Sequence, residues 1–149
     1  MCWISFETKI KVAKDNIPVT KIIIISNDKI KSYYEGFEYS VGKTYKTELD
    51  LPFENSISCY GKRSWSINEG FHSYNSSCLL EKNYLDRTAV VSVLNSHRHS
   101  YIAGYAPEKA KDILGIMSCI IPKGSKYYEN EYGEIVSDTI KPIYCYKIK

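Results

Sequence analysis

Three short stretches concentrate the side chains that can do chemistry. Gly70-Phe71-His72-Ser73-Tyr74 sets an imidazole between two aromatic rings, beside a glycine that lets a ligand approach the backbone. Imidazole donates a hydrogen bond at neutral pH in either protonation state, so His72 can hold a phosphate or a ribose hydroxyl. If the stretch is extended, side chains alternate: His72 and Tyr74 share the ligand face and Phe71 packs into the core. His97-Arg98-His99 offers three adjacent donors, and the Arg98 guanidinium can grip a phosphate through two bonds. Lys123-Gly124-Ser125-Lys126 is a turn whose amides and two ammonium groups can form an anion nest, followed at once by Tyr127 and Tyr128. With Lys43 and Arg87 as further cations, the candidate ligand-binding set is His72, Tyr74, Lys43, Arg87, Arg98, Tyr127 and Tyr128. Plainer readings stand beside these: a core histidine, a solvated loop, an ordinary β-turn and exposed cations.

Gly42-Lys43-Thr44 has the closing residues of a phosphate-binding P-loop, but the rest of that motif is missing. The first glycine should stand where Phe37 stands, and Gly36 is one step too early. A P-loop also feeds directly into a helix whose N-terminus holds the phosphates. Here Tyr45-Lys46-Thr47-Glu48-Leu49 alternates and Pro52 breaks it, so Gly42 marks a turn or bulge between extended segments.

One sequence does not assemble a Ser-His-Asp order, a paired carboxylate set or a reactive-cysteine environment. The five cysteines are Cys2, Cys59, Cys78, Cys119 and Cys145, odd in number, widely spaced and without a CxxC pair. They read as buried thiols in a reducing compartment, with no metal and no cofactor expected. Neither a signal peptide nor a bilayer-length apolar run is present, so the expected location is the cytosol, away from membranes. A net charge of +3 is too mild to argue for nucleic acid. Fourteen tyrosines against four phenylalanines give a mostly amphipathic aromatic set, suited to half-buried strands and ligand clefts alike.

The elements that must position these residues are mainly strands. Ile4 to Val12 alternates as a half-buried strand, and Val19 to Ser26 is a β-branched run fit for the centre of a sheet. Ile30 to Tyr34 returns as its hairpin partner after Asn27-Asp28. Residues 49–69 read as an irregular loop. Ser76 to Leu85 has a cap and an apolar face for one helix, and Pro107 to Leu114 opens as a second. Thr88 to Leu94, Met117 to Ile121, Glu134 to Ile140 and Ile143 to Ile148 complete the strands. The expectation is a single α+β domain over residues 1–149, a mainly antiparallel sheet of about seven or eight strands with two short helices.

Gly36-Phe37-Glu38-Tyr39-Ser40-Val41-Gly42-Lys43-Thr44-Tyr45, then Gly70-Phe71-His72-Ser73-Tyr74, then Ile121-Pro122-Lys123-Gly124-Ser125-Lys126-Tyr127-Tyr128 together resemble a pattern of small phage and prophage proteins. The resemblance covers about Tyr33 to Ser137 with gaps. It implies a phage or mobile-element origin, hence a host cytosol, and carries no chemistry of its own. The arrangement is also similar to ADP-ribosyltransferase folds, which would cast His72 as the histidine, Tyr127 or Tyr128 as an aromatic wall and Glu134 as the late acid. It departs from them in lacking a Ser-Thr-Ser strand, and Glu129, Glu131 and Glu134 sit in an apparent turn.

The leading functional expectation is a non-enzymatic binding protein that captures a small anionic, nucleotide-like molecule, as a phage protein sequestering a host immune signal would. Tyrosines would stack on a base while cations hold phosphates. The alternatives are an ADP-ribosyltransferase-like enzyme acting on a nicotinamide dinucleotide and a tyrosine-faced inhibitor of a host protein. A homo-oligomer is compatible with each.

Overall fold

The computed structural model describes residues 3–5, 9–26, 28–32, 37–54, 63–67, 69–75, 113–131 and 133–147. Its centre is β3 (Ile17–Ser26), whose isoleucines suit a pleated, buried surface. Along one edge β3 pairs with β10 (Ile113–Ile121), from Ile17 opposite Ile121 to Ile25 opposite Ile113. Its other edge is shared by two strands. β4 (Lys29–Ser32) takes Ile23 to Ser26, while β9 (Phe71–Asn75) takes Val19 and Thr20, so the sheet forks there.

Each branch then extends. Beyond β9 lie β12 (Glu134–Ser137), β11 (Lys126–Glu129) and, at the edge, β2 (Lys11–Val12). Beyond β10 lie β13 (Thr139–Lys147) and β6 (Tyr45–Lys46), and β4 carries β5 (Glu38–Tyr39). The branch ending in β5 meets the branch ending in β6 through side chains, with the rings of Tyr39 and Tyr45 5.2 Å apart. A second, three-stranded sheet runs β1 (Trp3–Ser5), β8 (Trp65–Ile67), β7 (Phe53–Glu54). Every pairing is antiparallel.

Alternation along the strands gives the main sheet two distinct faces. Phe71, Val19, Ile23, Met117, Cys119, Ile121, Ile135 and Ile140 pack together on one of them, the Phe71 face. A second cluster of Ile67, Tyr128 and Val136, joined by Leu49, fastens the small sheet to the other, the Tyr74 face. Each fully buried isoleucine contributes about 1.5–3 kcal/mol through removal of apolar surface from water.

Gly70 is what allows the chain to enter β9. Its φ is +139°, and a Cβ there would lie 2.5 Å from Val136 Cγ1 and 2.8 Å from Leu49 Cδ1. No side chain fits between the strand and the segment that carries Leu49.

The architecture corrects the α+β expectation of two short helices and about seven or eight strands. The described residues form thirteen strands and contain no helix. Of the stretch read as a second helix, Ile113 and Leu114 instead extend β10, drawn into register with Ile25 and Ile24. Tertiary pairing with a β-branched strand outweighs a weak helical pattern. Residues 107–112, the Ser76 to Leu85 helix and the Thr88 to Leu94 strand lie outside the described residues. Residues 49–69, expected to be irregular, supply β7 and β8. The expected strand from Ile4 to Val12 is divided between the two sheets, and Ile10 and Val12 are exposed rather than half-buried. Glu134 to Ile140 breaks at Asp138, whose N–H donates to Lys126 O (3.0 Å) while its carboxylate accepts from Lys126 N (3.1 Å). Among the described residues no helix is long and apolar enough to cross a membrane.

Candidate functional site

Register places a row of polar side chains across the Tyr74 face. Glu134 on β12 stands opposite Tyr74 on β9, Tyr74 opposite Thr20 on β3, Thr20 opposite Ser118 on β10, and Ser118 opposite Tyr144 on β13. At the usual strand spacing these five residues span about 19 Å. The row is anchored at one end by Asn130. Its side-chain amide donates to Glu134 Oε1 (3.1 Å), and its Oδ1 accepts from Glu134 N (2.9 Å).

Much of the row is withdrawn from water: Glu134 is 4%, Tyr74 5% and Thr20 6% exposed. The Thr20 hydroxyl is buried and, among the described residues, meets no hydrogen-bond partner. A buried hydroxyl left in that state costs about 1–3 kcal/mol, so a fold that keeps one at a polar row retains unused bonding capacity there. The neighbouring row carries Tyr128, Val136 and His72, with Ile22 opposite Ile116 farther along. His72 is half-buried beside the polar row. Burial raises the Tyr128 phenol above its ordinary pKa. Two cations share this face: Lys126, two residues before Tyr128 on β11, and Lys141, opposite Ile120.

The opposite face has a different character. Lys21, buried in the Phe71 face, donates from Nζ to the His72 carbonyl and lies 5.6 Å from the centre of the Tyr39 ring. Phe37 stacks edge-on against Tyr39 (4.9 Å), Tyr45 (5.5 Å) and Phe71 (6.1 Å). Burial pushes the Cys119 thiol up to about 12 despite the opposing pull of Lys21, with a further rise from Cys145. Cys119 is therefore an inert core thiol, not a nucleophile. Comparison with family models, curated proteins and solved structures finds no match to this chain.

The expected site residues are dispersed by this geometry. His72 and Tyr74 do share one face, while Phe71 packs into the core. Tyr128 lies on their face but is buried in the cluster with Ile67 and Val136. Tyr127 points to the other side, against the main cluster, so the two tyrosines cannot form one wall. Lys43 follows the turn at Gly42 (φ +90°) with its ammonium 5.2 Å over the Tyr45 ring, and a strand rather than a helix follows. Arg87, Arg98 and the histidines beside Arg98 lie outside the described residues.

Nor is the Lys123-Gly124-Ser125-Lys126 turn an anion nest. Its four amides donate to Asn16 Oδ1, Ala13 O, Pro122 O and Asp138 Oδ1 in turn, which leaves no backbone amide for a ligand. Among the described residues no group of three His, Cys, Asp or Glu could hold a metal. Thr20, Ser118 and Tyr144 were invisible as site residues. Reading Val19 to Ser26 as an unbroken buried run conceals that Thr20 and Lys21 face opposite ways.

Proposed function

We propose that the protein binds a nucleotide-like molecule and seats its sugar and base on the Tyr74 face. The observation that carries this reading is the row Glu134, Tyr74, Thr20, Ser118, with its buried threonine hydroxyl, unpartnered among the described residues. A carboxylate accepts from ribose hydroxyls or a base amino group, and three hydroxyls donate or accept as required. Glu134 disfavours a phosphate beside it, so phosphates would extend toward Lys126 or Lys141. The reading is capture rather than turnover, as by a protein that sequesters a host signal nucleotide.

Thermal shift and calorimetry against cyclic dinucleotides, ADP-ribose and nicotinamide dinucleotide test this directly. A ligand at about 100 times its dissociation constant adds about 2.7 kcal/mol of stability. Thr20→Val and Tyr74→Phe should each weaken its binding by about 1–3 kcal/mol. Absence of any shift across the panel, or unchanged binding in both variants, overturns the reading.

The line-up of His72, Tyr74 and Glu134 on one face also keeps an ADP-ribosyltransferase-like enzyme in view. Against it, Glu134 is held by Asn130 at both its backbone N–H and its carboxylate. Release of nicotinamide that disappears in Glu134→Gln would favour that enzyme over capture.

A further inference from the structure

Two strand edges of this chain carry opposite charge and matching apolar content. β2 pairs only with β11, and β7 only with β8, so each leaves one side of its backbone without a strand neighbour among the described residues. Around β2, Lys9, Ile10, Lys11, Val12 and Lys14 are all exposed, as are Lys123 and Lys126 beside them, with Asp15 the one acid in residues 9–16. Around β7, Glu48, Asp50, Leu51, Phe53 and Glu54 are exposed. Arg63 pairs with Glu54 and the Glu69 amide donates to Asp50, and the acids still outnumber the one paired cation. The apolar members are prominent: Val12 is 56% and Leu51 82% exposed.

We propose that copies of this chain associate head to tail, β2 of one against β7 of the next. Lysines on an edge strand ordinarily keep it from pairing with its own kind, because like charges then face each other across the new ladder. The same lysines favour an edge that carries Glu48 and Asp50. Two β2 edges repel, two β7 edges repel, and the mixed pairing alone brings opposite charges together while covering Val12 and Leu51. β7 is only two residues long, so the added ladder is short and the association weak and salt-sensitive. A contact between two different patches is heterologous, which produces a ring or an open chain rather than a symmetric dimer.

The test is sedimentation velocity on the full chain at about 0.05 M and about 0.5 M salt. The expected result is a mass that rises with concentration at low salt and falls toward the monomer at high salt. Lys9→Glu with Lys11→Glu, and separately Glu48→Lys with Leu51→Lys, should each abolish association, because the first sets two carboxylates against Glu48 and Asp50 and the second sets two ammonium groups against Lys9 and Lys11. Mixing the two variants should restore it, since each now complements the other. All four positions are exposed, so circular dichroism should report an unchanged sheet in both. A monomer at every concentration and salt overturns the proposal. So do salt-independent association, variants that assemble as the parent does, and a mixture that stays monomeric.

Discussion

The two faces of the main sheet are made by alternate residues of the same strands, yet they treat polar groups differently. On the Phe71 face a deeply placed cation, Lys21, is engaged by the His72 carbonyl and the Tyr39 ring. Isoleucines, Met117 and Phe71 fill the space around it. On the Tyr74 face a carboxylate, phenols and hydroxyls form a line, and the buried Thr20 hydroxyl has no hydrogen-bond partner among the described residues. A core that minimises free energy alone would replace Thr20 with valine, because the shape is kept and the desolvation cost disappears. Ser73, on the Phe71 face, also buries a hydroxyl that meets no partner among the described residues. The faces therefore differ in how many polar groups they line up rather than in whether one is left unbonded.

That contrast can be broken by substitution. The largest effect is expected on the Phe71 face: Phe71→Ala should cost about 3–5 kcal/mol in chemical denaturation, since it opens a cavity among Tyr39, Phe37 and the isoleucines. Gly70→Ala should cost about 1–3 kcal/mol, as the new methyl collides with Val136 and Leu49 at a backbone angle that favours glycine. Loss of less than about 0.5 kcal/mol in either would mean that the packing around β9 is looser than the distances imply.

A pH experiment addresses the same face. The folded Cys119 keeps its proton up to about 12, whereas an unfolded cysteine releases it near about 8.5. The stability from this group is therefore fully present below about pH 8.5 and is lost as pH rises toward the folded value. Denaturation curves should weaken between neutral and strongly alkaline pH, with a shallower dependence in Cys119→Ala. Identical slopes would remove the thiol from the account. The smallest effect in magnitude, and the opposite one in sign, belongs to the Tyr74 face. Thr20→Val should leave stability unchanged or raise it by up to about 1 kcal/mol. A clear loss would show that the hydroxyl is bonded and that the two faces are alike.

The parts of the fold legible in the sequence are those governed by local pattern. Ile22 to Ile25 is rich enough in β-branched residues to read as a central strand, and it is one. Met117 to Ile121, read as a strand, pairs along its edge, while Val90 to Val93, also read as central, lies outside the described residues. The shared face of His72 and Tyr74 follows from the two-residue period alone. What escaped depends on pairing between distant segments. Thr20, Ser118 and Glu134 meet only because β3, β9, β10 and β12 adopt one particular register, and register is not written within any single strand. The helix expected to end at Leu114 loses Ile113 and Leu114 for the same reason: both are claimed by a partner strand from the far end of the chain. The Lys123 to Lys126 turn looked open to anions because Asn16, Ala13 and Asp138, which occupy its amides, are contributed from elsewhere in the sequence.

The placement of β3 also sets a schedule for the ribosome. β3 is made early, and the only element that follows at once is β4, which covers part of one edge. Its longest partner, β10, begins at Ile113 and emerges only after roughly 90 further residues, a delay on the order of ten seconds during translation. For that interval Ile22 to Ile25, a β-branched tetrad of the kind that seeds intermolecular pairing, has no full-length neighbour of its own chain. Nascent chains on neighbouring ribosomes would compete with β10 for that edge, so the yield of folded protein depends on how quickly the second half of the sheet arrives.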